Sequence, residues 1–248
     1  MLAVLRMELN SGETGLGYYQ SSNLQGVLME QLDSGYAEQL HISRLKPYSQ
    51  YIIGGSRKEW VINTFTQEAY QKIICPLLNE KFSEFIIEKK EMHIKICSKE
   101  LETLSKQELL NEFYSDTYDR YIRLKFLTPT SFKSGGVYIN MPDVRYIYQS
   151  LMNKYSAASD DMDMYDEETL EQLTTNSRIV RYNLRSAVFP LEGVKIPSFM
   201  GEMDIKILGT PTMAKYVRLL VRFGEYSGVG IKTAIGMGGL RMRREQND

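Results

Sequence analysis

The sequence predicts an α+β protein built from two consecutive βαββαβ units, residues 1–118 and 119–248. Three observations carry that expectation. Stretches of strand period and of helix period follow one another in the same order in both halves. Turn residues stand where hairpins are needed, as at Gly54-Gly55-Ser56. The length of 248 residues also suits two units of about 120 residues each. A βαββαβ unit is the ferredoxin-like (RRM-like) arrangement, so the expected architecture is a tandem of ferredoxin-like domains.

In the first unit, Leu2 to Leu9 reads as a strand, followed by a turn-rich link from Gly12 to Gly17. Ser21 or Ser22 can cap a helix that carries Leu24, Val27, Leu28 and Leu32 on one face. A short helical turn, Tyr36 to Leu40, ends at His41. Tyr48 to Ile53 and Glu59 to Phe65 form a hairpin, and Trp60 is expected in the core. Thr66 caps a helix that runs to about Ile74 and stops near Pro76. Phe82 to Ile87 and Met92 to Ile96 are strands around Lys89-Lys90. Within the last of these, His93 falls on the face opposite Met92, Ile94 and Ile96, as a surface residue would.

Glu112 to Arg120 reads as a linker. The second unit opens with the strand Tyr121 to Leu127, which runs into Thr128-Pro-Thr-Ser-Phe132. Pro142 starts a helix to about Tyr155 with Val144, Ile147, Tyr148 and Leu151 on one side. Arg178 to Val188 and Met203 to Leu208 pair as a long hairpin joined through Pro190 to Gly201. Thr210-Pro211 begins a helix whose core face is Met213, Tyr216, Val217, Leu220 and Phe223. A glycine-rich run and a short basic strand, Leu240 to Arg244, complete the unit.

Composition excludes several classes. Hydrophobic residues make up 43% and charged residues 25%, which is ordinary for a soluble globular chain. No apolar run approaches the roughly 18 residues that span a bilayer, and no secretory signal opens the chain, so a cytoplasmic protein is expected. Cys75 and Cys97 sit in apolar sequence surroundings and read as free thiols. With two histidines and two cysteines, none clustered, neither a metal nor a cofactor is predicted.

The net charge of −1 is not the footprint of a generic nucleic-acid binder. Its distribution matters more. Residues 159–172 hold seven acids (Asp160, Asp161, Asp163, Asp166, Glu167, Glu168 and Glu171) and no basic residue, and read as a mobile loop. Residues 174–248 hold 12 Lys/Arg against 6 Asp/Glu, so the C-terminal third is basic and suits RNA.

The run Tyr226-Ser-Gly-Val-Gly-Ile-Lys-Thr-Ala-Ile-Gly-Met-Gly-Gly239 holds five of the 18 glycines: Gly228, Gly230, Gly236, Gly238 and Gly239. Exposed N–H groups in such a run can form an anion-binding concavity, with Lys232 and Thr233 inside it. The plainer reading is a turn between helix and strand. Gly-x-Gly-x-Lys-Thr is too short for a nucleotide P-loop, and a strand follows where that motif needs a helix.

This run resembles the C-terminal glycine-rich signature of the RAMP-type CRISPR-associated proteins, and more narrowly of the endoribonuclease that processes CRISPR precursor RNA. Two further segments resemble the same family. Leu40-His-Ile-Ser-Arg-Leu-Lys-Pro-Tyr-Ser49 is similar to the family's Leu-His and Lys-Pro-Phe/Tyr segment after the first helix. Phe126-Leu-Thr-Pro-Thr-Ser-Phe132 is similar to the opening of its second domain.

The resemblance implies cleavage of CRISPR repeat RNA, the precursor of guide RNA, with transient association with an effector complex. It places His41 and Lys46 as catalytic residues, against the plainer readings of a dipole-favoured helix-end histidine and a solvated loop lysine. Some members carry a tyrosine in the first helix, but Met29 stands near that place and no catalytic tyrosine is carried over. Ser43, Arg44 and Tyr48 are weaker candidates. RNA contacts are expected from Arg44, from the hairpin arginines Arg178, Arg181 and Arg185, and from Gly228, Gly230, Lys232, Thr233, Gly236 and Gly238. Two other readings remain open: a non-catalytic RNA-binding subunit of the same superfamily, and a ferredoxin-like enzyme that binds a small phosphate ligand at the glycine run.

Overall fold

A computed structural model describes residues 1–12, 15–88, 91–114, 118–159 and 165–243. Its frame is two antiparallel sheets. The first contains β1 (Leu2–Asn10), β2 (Tyr48–Ile53), β3 (Lys58–Thr64), β4 (Glu84–Ile87) and β5 (Met92–Leu104), in the order β2-β3-β1-β5-β4. Between the short hairpin of β7 (Phe132–Ser134) and β8 (Val137–Ile139) and the chain's end, the second sheet is completed. It contains β6 (Tyr121–Thr130), β9 (Ser177–Leu191), β10 (Val194–Ile207) and β11 (Leu240–Met242), in the order β11-β6-β10-β9. That is the fourth-first-third-second order of a ferredoxin-like unit. The first sheet repeats it with β4 added as an extra edge strand. No strand pairing joins the two sheets among the described residues.

Helices cover these sheets where the apolar periodicity demands it. Between β1 and β2 lie α1 (Ser21–Glu30) and α2 (Ser34–Ile42). Between β3 and β4 lie α3 (Gln67–Ala69), a π-helical stretch (Tyr70–Ile74) and α4 (Cys75–Leu77). Thr66 caps that run by accepting the Ala69 N–H at 3.1 Å. The run ends at Leu77, one residue past Pro76, where the proline was expected to stop it. The first half ends with α5 (Lys106–Tyr114), and the second carries α6 (Val144–Ala158), α7 (Glu167–Thr175) and α8 (Pro211–Ser227).

β1 is buried on both faces, which explains its almost unbroken apolar sequence. Ala3, Leu5, Met7 and Leu9 join Trp60, Ile62, Leu24 and Leu28 in one core. Leu2 and Val4, with Val61 and Phe65, face the other way and join a larger core built around α8 and α6. Phe223 of α8 meets Phe65 edge-on at 5.5 Å and Tyr155 at 4.9 Å. Burying each such side chain contributes about 1.5–3 kcal/mol. α8 is therefore held between the two halves.

Several expectations need correction. Cys75 and Cys97 are free but exposed, not packed in apolar surroundings. The stretch read as a linker begins inside α5, whose Leu109 is buried. The acidic stretch is not wholly loop. Asp166 caps α7 by accepting the Thr169 N–H at 2.7 Å, Leu170 and Leu173 are buried, and Arg145 pairs with Glu167 and, at 2.7 Å, with Glu171. Asp160, Asp161 and Asp163 lie outside the described residues, as do Lys89-Lys90 and Arg244.

β9 and β10 also run further than read. They meet at Glu192-Gly193, both at positive φ (47° and 82°), the geometry that suits a two-residue hairpin turn. The arm they form extends beyond β6, so Pro197 breaks no bond to that strand. Its end docks through Phe189 and Ile196 on Met237 and Tyr18.

Candidate active site and RNA-facing surfaces

α2 is an amphipathic helix capped by Asp33, which accepts the Tyr36 N–H at 3.2 Å. Tyr36 and Leu40 point inward, so His41, the next residue, projects to solvent from the last turn. The helix end is tied off locally. The Ser43 hydroxyl donates to the Gln39 carbonyl at 2.8 Å. The Lys46 ammonium folds back to donate to the His41 carbonyl at 3.3 Å and to the Ser43 carbonyl. A cation is favoured at a helix C-terminus, where the orphan carbonyls gather. The structure thus brings His41 and Lys46 onto one exposed turn, with the exposed Arg44 between them. Partial burial holds the Lys46 ammonium below the usual lysine range.

Tyr48, a weaker candidate in sequence, does not reach this surface. It is 1% exposed, lies 3.5 Å from the Gln25 amide, and burial pushes its phenol up to about 12. His93 is a surface strand residue, as read, and lies 3.3 Å from Glu84.

Arg178, Arg181 and Arg185 project from β9, the outer strand of the second sheet, and all three are exposed. Their register partners on β10 are Lys206, Asp204 and Met200. These alternate with the buried Met203, Ile205 and Ile207, so the arginines share the face turned away from α6 and α8. Arg178 is steadied by bonds to the Thr175 and Ser177 carbonyls at 3.1 and 2.9 Å. The same face carries Arg123 and Lys125 of β6 and Arg241 of β11. Sequence reasoning missed Arg123 and Lys125, although they alternate with the buried Ile122, Leu124 and Phe126. Glu202 offsets part of this charge through Lys125 at 3.3 Å and Arg243 at 2.7 Å.

The glycine run is not an open cradle for phosphate. Gly228, Gly236, Gly238 and Thr233 are buried, and Gly230 is half-buried. Three of its glycine N–H groups are already used: Gly228 donates to the Gly224 carbonyl at 2.9 Å, Gly230 to the Ser150 hydroxyl at 2.8 Å, and Gly238 to the Pro129 carbonyl at 3.0 Å. Glycine is required for close approach. A Cβ on Gly238, at φ 68°, would fall 2.0 Å from the Val229 carbonyl oxygen, and one on Gly236 would fall 2.1 Å from the Ser21 Cβ. Lys232 alone presents an exposed side chain from this run.

The run instead holds the two halves together. Gln50 donates to the Ala234 carbonyl at 3.3 Å and to the Ser21 carbonyl at 2.8 Å, and accepts the Trp60 indole N–H at 2.9 Å. The Ser21 hydroxyl accepts the Ile52 N–H at 3.2 Å, and the Ser49 hydroxyl donates to the Tyr226 carbonyl at 2.7 Å. Lys154 of α6 closes the network. It donates to the carbonyls of Ser227 and Gly228 at 3.1 and 3.0 Å and lies 3.2 Å from the Thr233 hydroxyl. Burial lowers its ammonium to about 7. The signal for Lys154 was present, since it falls between Leu151 and Tyr155 on the apolar face of α6.

Among the described residues, no three His, Cys, Asp or Glu side chains gather as metal ligands would. No described helix is long and apolar enough to cross a membrane.

A family model described as CRISPR-associated endoribonuclease Cas6 matches residues 124–240. A CRISPR-associated endoribonuclease Cas6 from Streptococcus thermophilus is 36% identical over 223 residues, 90% of this chain and 90% of that protein. Another, from Mycobacterium tuberculosis, is 35% identical over 223 residues, 89% of this chain and 71% of that one. Among solved structures, a Cas6 product complex has a TM-score of 0.80 at 21% identity, covering 98% of this chain and 99% of the other. A Thermus thermophilus Cas6 has a TM-score of 0.70 at 20% identity, covering 98% of each. At that identity the structural likeness speaks for the fold alone.

Proposed function

The chain belongs to the family of CRISPR-associated endoribonucleases called Cas6, and from that membership we propose that it cuts CRISPR repeat RNA at the exposed turn that carries His41 and Lys46. The observation that carries this reading is the bond from the Lys46 ammonium to the His41 main-chain carbonyl, which holds a cation on the same surface turn as the histidine.

RNA supplies its own nucleophile. The 2′-hydroxyl attacks the adjacent phosphorus, the bond from phosphorus to the 5′-oxygen breaks, and a 2′,3′-cyclic phosphate and a 5′-hydroxyl result. Two protons must move, one off the 2′-hydroxyl and one onto the leaving 5′-oxygen. An imidazole titrates in the range where it can serve either transfer, so His41 does acid or base work. Charge builds on the phosphorane oxygens, and an ammonium aimed there lowers its energy. Lys46 fits that role, since its present acceptors are neutral carbonyls that an anionic phosphate outcompetes. The reaction drawn this way calls for no metal ion.

Arg178, Arg181 and Arg185, with Arg44 and Lys232 at the margins, then supply phosphate contacts that position the RNA without reading its sequence. We place the division between the halves at residue 118, after α5. That helix ends the first half but packs on α8 of the second.

The test is incubation with a CRISPR repeat RNA in EDTA. Products with a 2′,3′-cyclic phosphate, and no product when the nucleotide at the cut is 2′-deoxy, support the reading. Cleavage that persists on the 2′-deoxy substrate rules out internal attack. Tight binding with no cleavage by the unaltered protein favours a non-catalytic RNA-binding subunit.

A further inference from the structure

A cavity of about 390 Å³ opens where the tip of the β9–β10 arm leans over the start of α1. Tyr19, Ser22 and Asn23 come from the first half, and Pro190, Val194 and Lys195 from the arm. Its size is at the small end of ligand pockets, which run from about 300 to 1,000 Å³. That is room for one nucleotide, not for a base-paired stem.

Tyr19 is 47% exposed although it is firmly held. Its hydroxyl donates to the Gly15 carbonyl at 3.3 Å, and Tyr18 meets its ring edge-on at 5.9 Å. The backbone of Gly17 lies so close to the ring that a Cβ there would fall 2.9 Å from the Tyr19 Cε1. Gln20, buried beneath, bonds the N–H of Gly17 at 2.8 Å and the carbonyl of Gly15 at 2.9 Å, which locks the loop. A rigid aromatic ring left half open to water loses little freedom when a flat partner stacks on it.

The remaining lining has the chemistry of a nucleotide. Pro190 and Val194 add apolar lining, and the Asn23 amide and Ser22 hydroxyl can meet a base edge. Lys195, the register partner of Pro190, sets a cation at the rim. Glu192 at the turn repels phosphate from the tip and directs it to the Lys195 side. Arg185 stands five residues before Pro190 on β9, about 17 Å along an extended strand. Strand alternation sets Arg185 and Pro190 on opposite faces of the arm, so an RNA strand held by Arg185 passes round the outer strand β9 to reach the cavity.

We infer that this cavity is a subsite for one unpaired nucleotide of the RNA substrate, its base stacked on Tyr19 and its phosphate at Lys195. The inference rests on the RNA-cleaving reading above and adds a position where base identity counts.

The experiment is a binding scan with repeat RNA that is 2′-deoxy at the cut, so that it stays whole. A single abasic site is moved through its unpaired positions. For the unaltered protein, one position should weaken binding roughly 10-fold, the usual effect of losing one base–aromatic stack. Tyr19→Ala should weaken binding of intact RNA by a similar factor and become indifferent to that abasic position. Tyr19→Phe should restore both. Asn23→Ala should relax base preference at the same position, and Lys195→Ala should lower the salt slope by about one counterion. A flat scan, or a Tyr19→Ala protein as sensitive to the abasic position as the unaltered one, overturns the subsite. If the unaltered protein still cleaves the ribose substrate, the proposed function survives that result. If it neither binds nor cleaves repeat RNA, both readings fall.

Discussion

Replacing Lys154 should change how stability depends on pH. Lys154 is 5% exposed, and burial lowers its ammonium from 10.5 to about 7. Between those values the unfolded chain holds this proton and the folded chain has released it. Stability therefore rises with pH from about 7 to about 10.5, and the gain is lost as pH falls through 7. The slope approaches about 1.4 kcal/mol per pH unit for one proton. The group is half-titrated at pH 7, so the interval from pH 7 to 9 is worth about 2 kcal/mol. Lys154→Met keeps most of the volume and removes the titration, while leaving the Ser227 and Gly228 carbonyls without this donor, at roughly 1–3 kcal/mol in all.

Urea unfolding of both proteins at pH 6, 7, 8 and 9 separates the two effects. A constant offset reports the lost hydrogen bonds, and a gap between the proteins that widens by about 2 kcal/mol from pH 7 to 9 reports the proton. Both proteins carry the same tyrosines, cysteines and termini, so other titrations cancel. Parallel stability curves would refute the reasoning, because they would mean that Lys154 keeps its proton throughout.

The other expectations concern the surfaces and the glycine run. His41→Ala should slow single-turnover cleavage roughly 10²–10⁴-fold and Lys46→Ala should slow it too, with RNA affinity nearly unchanged for both; activity kept in His41→Ala but lost in His93→Ala would move the chemistry to the other histidine. Neutralising Arg178, Arg181 and Arg185 together should weaken RNA binding and flatten its salt dependence by up to about three counterions, and an unchanged slope would shift the RNA path toward Lys232 and the β11 arginines. Gly238→Ala should destabilise the fold by at least about 2 kcal/mol, since backbone stands where the methyl must go. Gly26→Ala, which has nothing within 4 Å inside α1, should stabilise by about 0.5–1 kcal/mol; equal thermal shifts for these two glycines would contradict the close packing.

The order of elements was readable because apolar periodicity reports burial, and burial here is mostly simple. β1, α6 and α8 announce themselves through Leu5, Leu151 and Leu220. The reading lost ground where burial is one-sided or late. β5 continues from Ile96 to Leu104 through Lys99, Glu100 and Glu102 because its outer edge faces water beyond β4, so no alternation marks it. α7 was hidden because its acids dominate the composition while only Leu170 and Leu173 pack inward. At the site, His41 and Lys46 were singled out through a motif, and the structure places both on one surface turn. The glycine run was misread because composition cannot tell a loop that opens toward a ligand from one that closes on its own protein. Only the neighbours decide, and two of them, Ser21 and Ser131, are far away in sequence.

Those neighbours connect the glycine run to the proposed chemistry. His41 and Lys46 sit on a segment inserted between β1 and β2. Both of its ends touch the glycine run: α1 begins at Ser21 against Gly236, and β2 carries Ser49 and Gln50, which bond Tyr226 and Ala234. The basic arm is fixed to the same place through Met237 and Tyr18. One buried network therefore sets the position of the turn that carries His41 and Lys46 relative to the arginines proposed to hold the substrate. In-line attack tolerates little displacement, and an error near 1 Å can cost about 100-fold in rate. A glycine run buried in this way can be understood without any contact to RNA: it keeps two surfaces in register, and the glycines are required because no side chain fits at these contacts.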